Sequence, residues 1–456
     1  MKLRHTASLA TAISVLLYGA SAHAITTVES NAGIQFNFSN PGARSLGMGG
    51  AFLGLADDAT AAYSNPAGLS NLFRPEFSIE YRRTDFTTVY SDQGRLLGEP
   101  TGLGLDTVNG IVQGEAESDV DSVSFLSFVF PLEKWTFGAY RHQIGDFETF
   151  YRSEGPVVQT RGEQNGVPFL SRARPTENRV DLDIVNWGIS TSYRITDNLS
   201  IGGGISYFDF EFDTETLRFP LEGGADRGNP ADFSQPPDSS NTQVGDDDDI
   251  GFNVGLLWKI TEKWSLGAVY RSGGEFEYTH QTRNLETGVT LNGITDFNLP
   301  STFGVGVAFR PVDQLTLNFD YNRITYSDVT DNPVIQGSGA PFPELQVDDG
   351  NEYRLGLEYV FATANPIAIR AGVWQAPDTV LSYQGPAPEE ALDSDPPGVI
   401  IDKNRRNVRA AFFQPGDDEI HYSIGAGFVI GRFQLDAAAD FSDNNDTFSL
   451  SGVVFF

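Results

Sequence analysis

The side chains in this sequence that are able to do chemistry are few. Beyond the first 24 residues only His142, His280 and His421 remain, with no HExxH frame, no close histidine pair and no GxSxG elbow, so neither a zinc hydrolase nor a serine hydrolase can be assembled from local spacing. His421 near Asp417 and Asp418 is a faint echo of a hydrolytic Asp/His pair. There is no cysteine, which excludes thiol catalysis, Cys-ligated metals and a disulfide scaffold. Gly425-Ala426-Gly427 lies inside an alternating segment and not at a strand-to-helix turn, so it is no dinucleotide fingerprint. No enzyme, cofactor or resident metal is expected.

What remains is non-covalent chemistry. Phe208, Phe210 and Phe212 alternate along one stretch, and Phe128 and Phe130 along another. Lined up on one face, such rings withdraw an apolar molecule from water at roughly 25 cal/mol per Å². Arg271 and Arg370 are the cations suited to pair with a carboxylate head group. Which way any of these points depends on the elements that carry it.

The chain has 456 residues, 40% hydrophobic and 20% charged, with 48 Gly, 34 Phe and 16 Tyr. That composition excludes disorder, and a formal charge of −31 excludes a nucleic-acid partner, which needs a basic face. Lys2 and Arg4, the apolar Ala10–Ala20 and the small-x-small Ala22-His23-Ala24 mark residues 1–24 as a secretory signal peptide. No later apolar run is long enough for a transmembrane helix.

Period-two alternation dominates instead. Ile250, Phe252, Val254, Leu256 and Trp258 share one face, with Gly251, Asn253 and Gly255 on the other. After a turn at 259–263 the pattern resumes in Trp264, Leu266, Ala268 and Tyr270, and it recurs around 185–207 and 303–321. Read throughout, the chain has fourteen strands between 76 and 456. Short turns alternate with longer segments near 91–118, 151–178, 213–248, 284–299, 331–350 and 381–418. An even strand count with short turns on one side and long loops on the other is the pattern of an outer-membrane β-barrel, in which closure satisfies every backbone group in lipid. A soluble sandwich would not crowd Trp135, Trp187, Trp258, Trp264 and Tyr359 next to turns, as an interfacial girdle does. The alternating end Phe448, Leu450, Gly452, Val454, Phe456 resembles the signal read by the barrel-assembly machinery. The fold expected is an all-β transmembrane barrel, 14 antiparallel strands over 75–456, in the outer membrane of a Gram-negative bacterium. Asp246-Asp247-Asp248-Asp249 would then edge a long loop, either solvated or attracting divalent cations that bridge lipopolysaccharide.

Residues 25–74 do not alternate. Gly47, Gly49 and Gly50 are followed by Asp57-Asp58, suited to capping a short helix, and by Asn65-Pro66-Ala67-Gly68, which stops it. A segment this short and Gly-rich reads as a hatch plugging the lumen.

The run Leu46-Gly47-Met48-Gly49-Gly50-Ala51-Phe52, Ala56-Asp57-Asp58-Ala59, Asn65-Pro66-Ala67-Gly68-Leu69 resembles the hatch of the long-chain fatty-acid and toluene transporter family. Phe128-Val129-Phe130-Pro131, Leu299-Pro300-Ser301-Thr302-Phe303-Gly304 and Arg370-Ala371-Gly372 extend the likeness over most of the chain. The resemblance implies passive transport of hydrophobic molecules, captured among outer loops and released sideways into the bilayer at a kinked third strand. Alternation along that strand puts Arg141 on the lipid face, at a cost of roughly 2–4 kcal/mol. A kink between Gly138 and Gly145 would turn Arg141 and His142 away, making Gly138, Arg141, His142 and Gly145 the expected lateral gate. Alternation points Phe208, Phe210 and Phe212 inward as a conduit, and because the second strand is apolar on both faces one set must face the hatch or the conduit, with Phe128 and Phe130 expected as further conduit residues. Expected partners are a hydrophobic small molecule, outer-membrane lipid and lipopolysaccharide. A barrel of the same fold that anchors a secretion machine without transporting is the alternative.

Overall fold

The computed structural model describes residues 33–456 apart from 101, 103, 165–166, 222–228, 331–343 and 393. The signal peptide expected over 1–24 lies outside the described residues.

Fourteen barrel strands follow one another in antiparallel order. They are β1 (Glu76–Leu97), β2 (Gly110–Leu132), β3 (Trp135–Ser153), β4 (Thr176–Thr196), β5 (Leu199–Arg218) and β6 (Ser239–Lys259). Next come β7 (Trp264–Arg271 and Glu275–Asn284), β8 (Thr290–Asn298 and Thr302–Val312) and β9 (Leu315–Ile324). The last five are β10 (Gly350–Phe361), β11 (Ile367–Ala376), β12 (Glu419–Ile430), β13 (Phe433–Phe441) and β14 (Asn445–Phe455). β7 and β8 are each interrupted once. β14 returns to β1 in continuous register from Glu76↔Phe455 to Phe86↔Asn445, so the first and last strands close the sheet into a barrel.

The alternation works as read. In β5, Ile201, Ile205 and Tyr207 are exposed while Ser206, Phe208, Phe210 and Phe212 are buried. Trp135, Trp258, Trp264 and Tyr359 beside the short turns are exposed on the outer face, where an interfacial girdle belongs, whereas Trp187, also exposed and expected next to a turn, lies in the middle of β4. Every other connection is short, at Glu133–Lys134, Asp197–Asn198, 260–263, 313–314, 362–366 and 431–432.

The long connections differ from expectation because the strands run farther at that end. Residues 284–299, expected as a loop, are mostly the paired strand segments Glu275–Asn284 and Thr290–Asn298. Likewise Asp246–Asp249 lie inside β6, in the wall, and do not edge a loop. The physical reason is that a wall continuing beyond the apolar band faces water, where carboxylates cost nothing in a strand. Among the described residues of the long connections, a hairpin spans 157–172, and a 16-residue helix, α3 in a chain that begins with two short hatch helices, covers Pro397–Phe412.

Residues 33–72 occupy the lumen. They form α1 (Ala43–Leu46), α2 (Ala61–Ser64) and a 3-10 turn over Pro66–Asn71, almost wholly buried. Inside a sheet whose inner face carries Gly and Ser, this segment supplies the missing half of the core.

The outer band makes a direct prediction. Ile205 is 66% exposed and flanked across the sheet by Ile189 and Phe252. Ile205→Arg is expected to cost roughly 2–4 kcal/mol of folding free energy in lipid vesicles, measured by denaturant unfolding. The same charge at exposed Arg-tolerant loop position Thr287 should cost almost nothing.

Candidate functional site

The hatch is fastened to the wall by its own backbone. Phe52 and Leu53 N–H groups donate to Asp320 Oδ2 at 2.6 and 2.9 Å, Gly42 N–H to Glu80 Oε2 at 2.9 Å, and Gly49 N–H to Ser423 Oγ at 2.8 Å. Inward acceptors on distant strands thus receive amides that a coil segment leaves unpaired. Asn65 serves both sides: its Nδ2 donates to Leu53 O and Leu256 O, each at 3.1 Å, and its Oδ1 accepts from Ala67 N–H at 3.2 Å. Pro66 then starts the 3-10 turn, where its missing N–H costs nothing. The motif residues Asn65, Pro66 and Ala67 therefore seat the hatch.

Asp57 and Asp58 belong to an ion network. Arg44 Nη1 lies 2.6 Å from Asp57 and 3.1 Å from Asp58, and its Nη2 2.9 Å from Glu358. Glu358 pairs with Arg370 at 2.8 Å, Arg370 with Asp436 at 2.8 Å, and Asp57 with Arg310 at 2.9 Å. Asp58 does not cap α2 as expected; its Oδ1 closes a turn on Thr60 N–H at 3.0 Å. Burial pushes its carboxyl above the usual range, against the pull of Arg44.

The two candidate cations part company here. Arg370, paired with Glu358 and Asp436, ties three wall strands together and holds Glu358 where the hatch residue Arg44 meets it. Arg271 is held instead by neutral groups: Nε donates to Tyr63 O at 3.1 Å, Nη1 to Thr302 Oγ1 at 3.3 Å, and Nη2 to Ser64 O and Asn40 Oδ1. It lies over the Tyr63 ring at 4.6 Å and borders a small cavity just above the hatch.

That cavity, with room for about one water molecule, is bounded by Phe38, Tyr63, Tyr140, Ile144, Phe208 and Leu299 among others. Beyond it the lumen is closed by rings. Phe210 stacks on Phe276 at 4.6 Å and meets Phe297 at 5.1 Å; Phe212 meets Phe297 at 5.8 Å and Tyr278 at 5.5 Å; Phe36 from the hatch reaches Phe297 at 6.0 Å. Phe208, Phe210 and Phe212 point inward as alternation requires. Phe128 and Phe130 do not: at 47% and 45% exposure they face outward, and Phe125 and Val129 are the buried set. Both faces of that strand are apolar, so composition alone left the choice open. Phe276, Tyr278, Phe297, Phe36 and Phe38 were missed. Their signal was the alternation Phe276, Tyr278, His280 within a stretch whose partner was read as loop.

β3 carries a bulge between Gln143 and Gly145. It pairs with β2 only from Trp135↔Leu132 to His142↔Phe125, although its pairing with β4 continues to Ser153. Beyond the bulge its inner face turns against β1, with Phe147 stacked on Phe86 at 5.0 Å and Tyr151 on Tyr90 at 4.4 Å. β2 stays paired to β1, leaving β2 and β3 unpaired above His142. Arg141 crosses this gap, donating to Val123 O and to Gln143 Oε1. His142 is fully buried, 4.2 Å from the Tyr63 ring. Gly145 abuts Ile184 at the bulge, and Gly138 sits lower, under Ala62 of the hatch. Three of the four expected gate residues therefore flank the gap, and Gly138 belongs to the hatch seat.

His421 faces the lumen, its Nδ1–H donating to Asp440 Oδ1 at 2.6 Å and its ring stacked on Trp374 at 3.9 Å. Its partner is not Asp417 or Asp418.

A barrel of fourteen strands, filled by a hatch carrying this motif and kinked at its third strand, can be set beside known proteins. Residues 164–380 match the model of the outer membrane protein transport protein family (OMPP1/FadL/TodX). The match lies in the barrel, independent of the hatch motif that first carried the resemblance. Comparison with curated proteins finds no match. Among solved structures the chain is similar to a FadL homologue of Pseudomonas aeruginosa (14% identity, TM-score 0.60) and to the P. putida toluene transporter TodX (16%, 0.58). The Ralstonia pickettii toluene transporter TbuX is similar too (17%, 0.56), and each likeness covers 92% of this chain and 99% of the other. At these identities the likeness establishes the fold.

The ion network predicts how the hatch is held. Glu358→Gln removes the carboxylate that Arg44 and Arg370 share, while Asp57, Asp58 and Asp436 still neutralise them, and should loosen hatch seating by about 1.5–3 kcal/mol. Amide exchange over residues 43–65 should rise while the barrel keeps its heat-modifiable mobility in gels.

Proposed function

We propose that this protein is an outer-membrane channel for hydrophobic compounds, fatty acids or hydrocarbons, working without energy input. One observation carries the reading: the lumen above a sealed hatch is lined by rings, with one cation, Arg271, bordering a cavity among them. A porin for polar solutes needs a wet, open bore. Here the space is small, with rings above it and polar groups such as Asn186, Asn253 and Arg271 among its lining, so a solute must move by displacing packed side chains. The family match and the fold shared with the toluene transporters support the same reading.

In this reading residues 25–74 are the hatch and 75–456 the barrel, after removal of 1–24. Substrate enters from the outer loops, passes the rings and reaches the cavity beside Arg271 and Tyr63. It leaves sideways where β2 and β3 part above His142, with Arg141 and Gly145 at the margin. Lipid receives it there, so lipopolysaccharide and outer-membrane lipid are partners, and the barrel-assembly machinery inserts the chain.

Whole-cell uptake of a labelled 18-carbon fatty acid and of toluene, in a strain lacking its own transporters and complemented with this chain, tests the proposal. A gain for at least one is expected. No gain for either overturns it and favours a non-transporting barrel that serves a secretion machine. Arg271→Gln distinguishes the substrates: loss of a charge-assisted contact worth about 1.5 kcal/mol should cut fatty-acid uptake roughly tenfold and leave toluene uptake unchanged.

A further inference from the structure

The wall has a second discontinuity, between β6 and β7. Their ladder runs from Lys259↔Ser265 to Asn253↔Arg271, stops, and resumes at Val244↔Thr279. Residues 245–252 face residues 272–278 without a ladder, and the strands resume one residue out of step. In place of carbonyls, two inward carboxylates span the seam: Asp249 Oδ2 accepts from Glu275 N–H at 2.9 Å and Asp247 Oδ2 from Glu277 N–H at 2.7 Å. At its lower end Ser272 N–H donates to Phe252 O at 2.9 Å, and Phe252 N–H to Ser272 Oγ at 2.8 Å.

Three further observations converge on this seam. First, Phe252 and Ser272 border the cavity beside Arg271, yet Phe252 is 50% exposed on the membrane face. One residue thus touches both the interior space and lipid. Second, the rings that close the lumen lean on bare backbone along the seam. A Cβ on Gly251 would lie 2.6 Å from Phe208, one on Gly245 2.7 Å from Phe210, and one on Gly274 2.9 Å from Phe276. Third, the interruptions of β7 and β8 lie side by side, joined by Leu299 N–H to Gly274 O at 2.8 Å and Gly273 N–H to Ser301 Oγ at 3.0 Å. The hairpin Glu275–Asn298 is therefore a unit hinged on two adjacent breaks, held to β6 at its far end and by the two aspartates between.

Side-chain bonds across a seam open more readily than a ladder, because each rests on a rotatable group and not on the strand itself. We propose that the lower end of the β6–β7 seam, at Phe252 and Ser272, is a second lateral portal through which the cavity communicates with the bilayer, latched from the water-facing wall above it by Asp247 and Asp249. This rests on the reading of the protein as a channel for hydrophobic compounds.

The chain has no cysteine, so single thiols report cleanly. Ser272→Cys and, as a control on an intact ladder beneath the hatch, Ser190→Cys are reconstituted as full chains in phospholipid vesicles and exposed to a membrane-partitioned maleimide. The seam thiol should react at least about tenfold faster than the control, as a locally opening segment does. Adding Asp247→Ala with Asp249→Ala should raise that rate further, and Asp→Asn at both positions should restore it in part. Equal rates for the two thiols in both backgrounds overturn the portal. In the second arm, Asp246→Cys with Glu277→Cys, both on the outer face and opposite each other in the register that Val244↔Thr279 sets, is oxidised across the seam. Toluene uptake should fall severalfold and return on reduction; unchanged uptake overturns a transport role for the seam. If the parent chain carries neither substrate, the channel reading fails, and the thiol rates still decide whether the seam opens to lipid.

Discussion

The close approach of the hatch backbone to the inner wall is the constraint on which the rest of this structure depends. Where the hatch lies, the inward positions are glycine because nothing larger fits. A Cβ on Gly306 would stand 2.8 Å from Leu53, one on Gly356 2.7 Å from Met48, one on Gly372 2.6 Å from Gly49, and one on Gly255 3.1 Å from Pro66. These positions come from four different strands, β6, β8, β10 and β11, and the hatch also reaches Gly425 of a fifth, β12. The same strands carry large apolar residues on the outer face. One alternation is therefore read twice, by lipid outside and by a plug inside. With backbone against backbone, carboxylates such as Asp320 and Glu80 find amide donors, and charges that would be costly in a dry core are paired or hydrogen bonded.

The hatch also reaches the parts of the wall that depart from regularity. Asn37 N–H donates to Ile144 O at 2.8 Å, inside the β3 bulge, and Phe36 packs on Phe297 of β8. Tyr63 of α2 contacts both His142 of β3 and Arg271 of β7. A single short segment thus touches the edge of the β2–β3 gap and the base of the β6–β7 seam. Any shift of residues 36–65 changes the support under both at once, which is a physical reason for the plug to be fastened by ions at one end and by packed rings at the other.

Much of this was legible in the sequence because the signals had a definite period. Strand order, closure, the outward Trp residues and the inward Phe208, Phe210 and Phe212 follow from alternation. What failed did so where alternation lost its contrast. Phe125–Phe130 is apolar on both faces, and an irregularity between Phe125 and Ser122 in the pairing with β1 changes which side is which. Asp246–Asp249 reads as loop because carboxylates suggest solvent, and no local feature says that the wall extends past the membrane. The contrast between Arg271 and Arg370 was illegible for another reason. Glu358 faces Arg370 directly across the β10–β11 hairpin, but Asp436 reaches it from β13, two strands away, and Arg44 reaches Glu358 from the hatch. The kink in β3 was legible as a conflict, since an outward arginine at that depth demands relief. Its position at Gln143–Gly145 was fixed by partners on β4 that spacing does not reveal.

The closed lumen carries one more consequence. A cavity with room for about one water molecule cannot hold a solute the size of toluene, so binding must begin by moving something. The rings are the groups free to move, because they contact one another and not the ion network. The hatch below them is pinned by Arg44, Asp320 and Asn65, and the outer strands by continuous ladders. Space can therefore open only toward the places where the wall lacks a ladder. Among the described residues the cavity touches two such places, the β2–β3 gap through Ile144 and the β6–β7 seam through Phe252 and Ser272. A solute that displaces Phe208 or Phe210 pushes them against Gly251 and Gly245, positions without side chains, directly behind Asp249 and Asp247. Entry and sideways release are then one movement, in which the rings that admit the solute are those that load the seam.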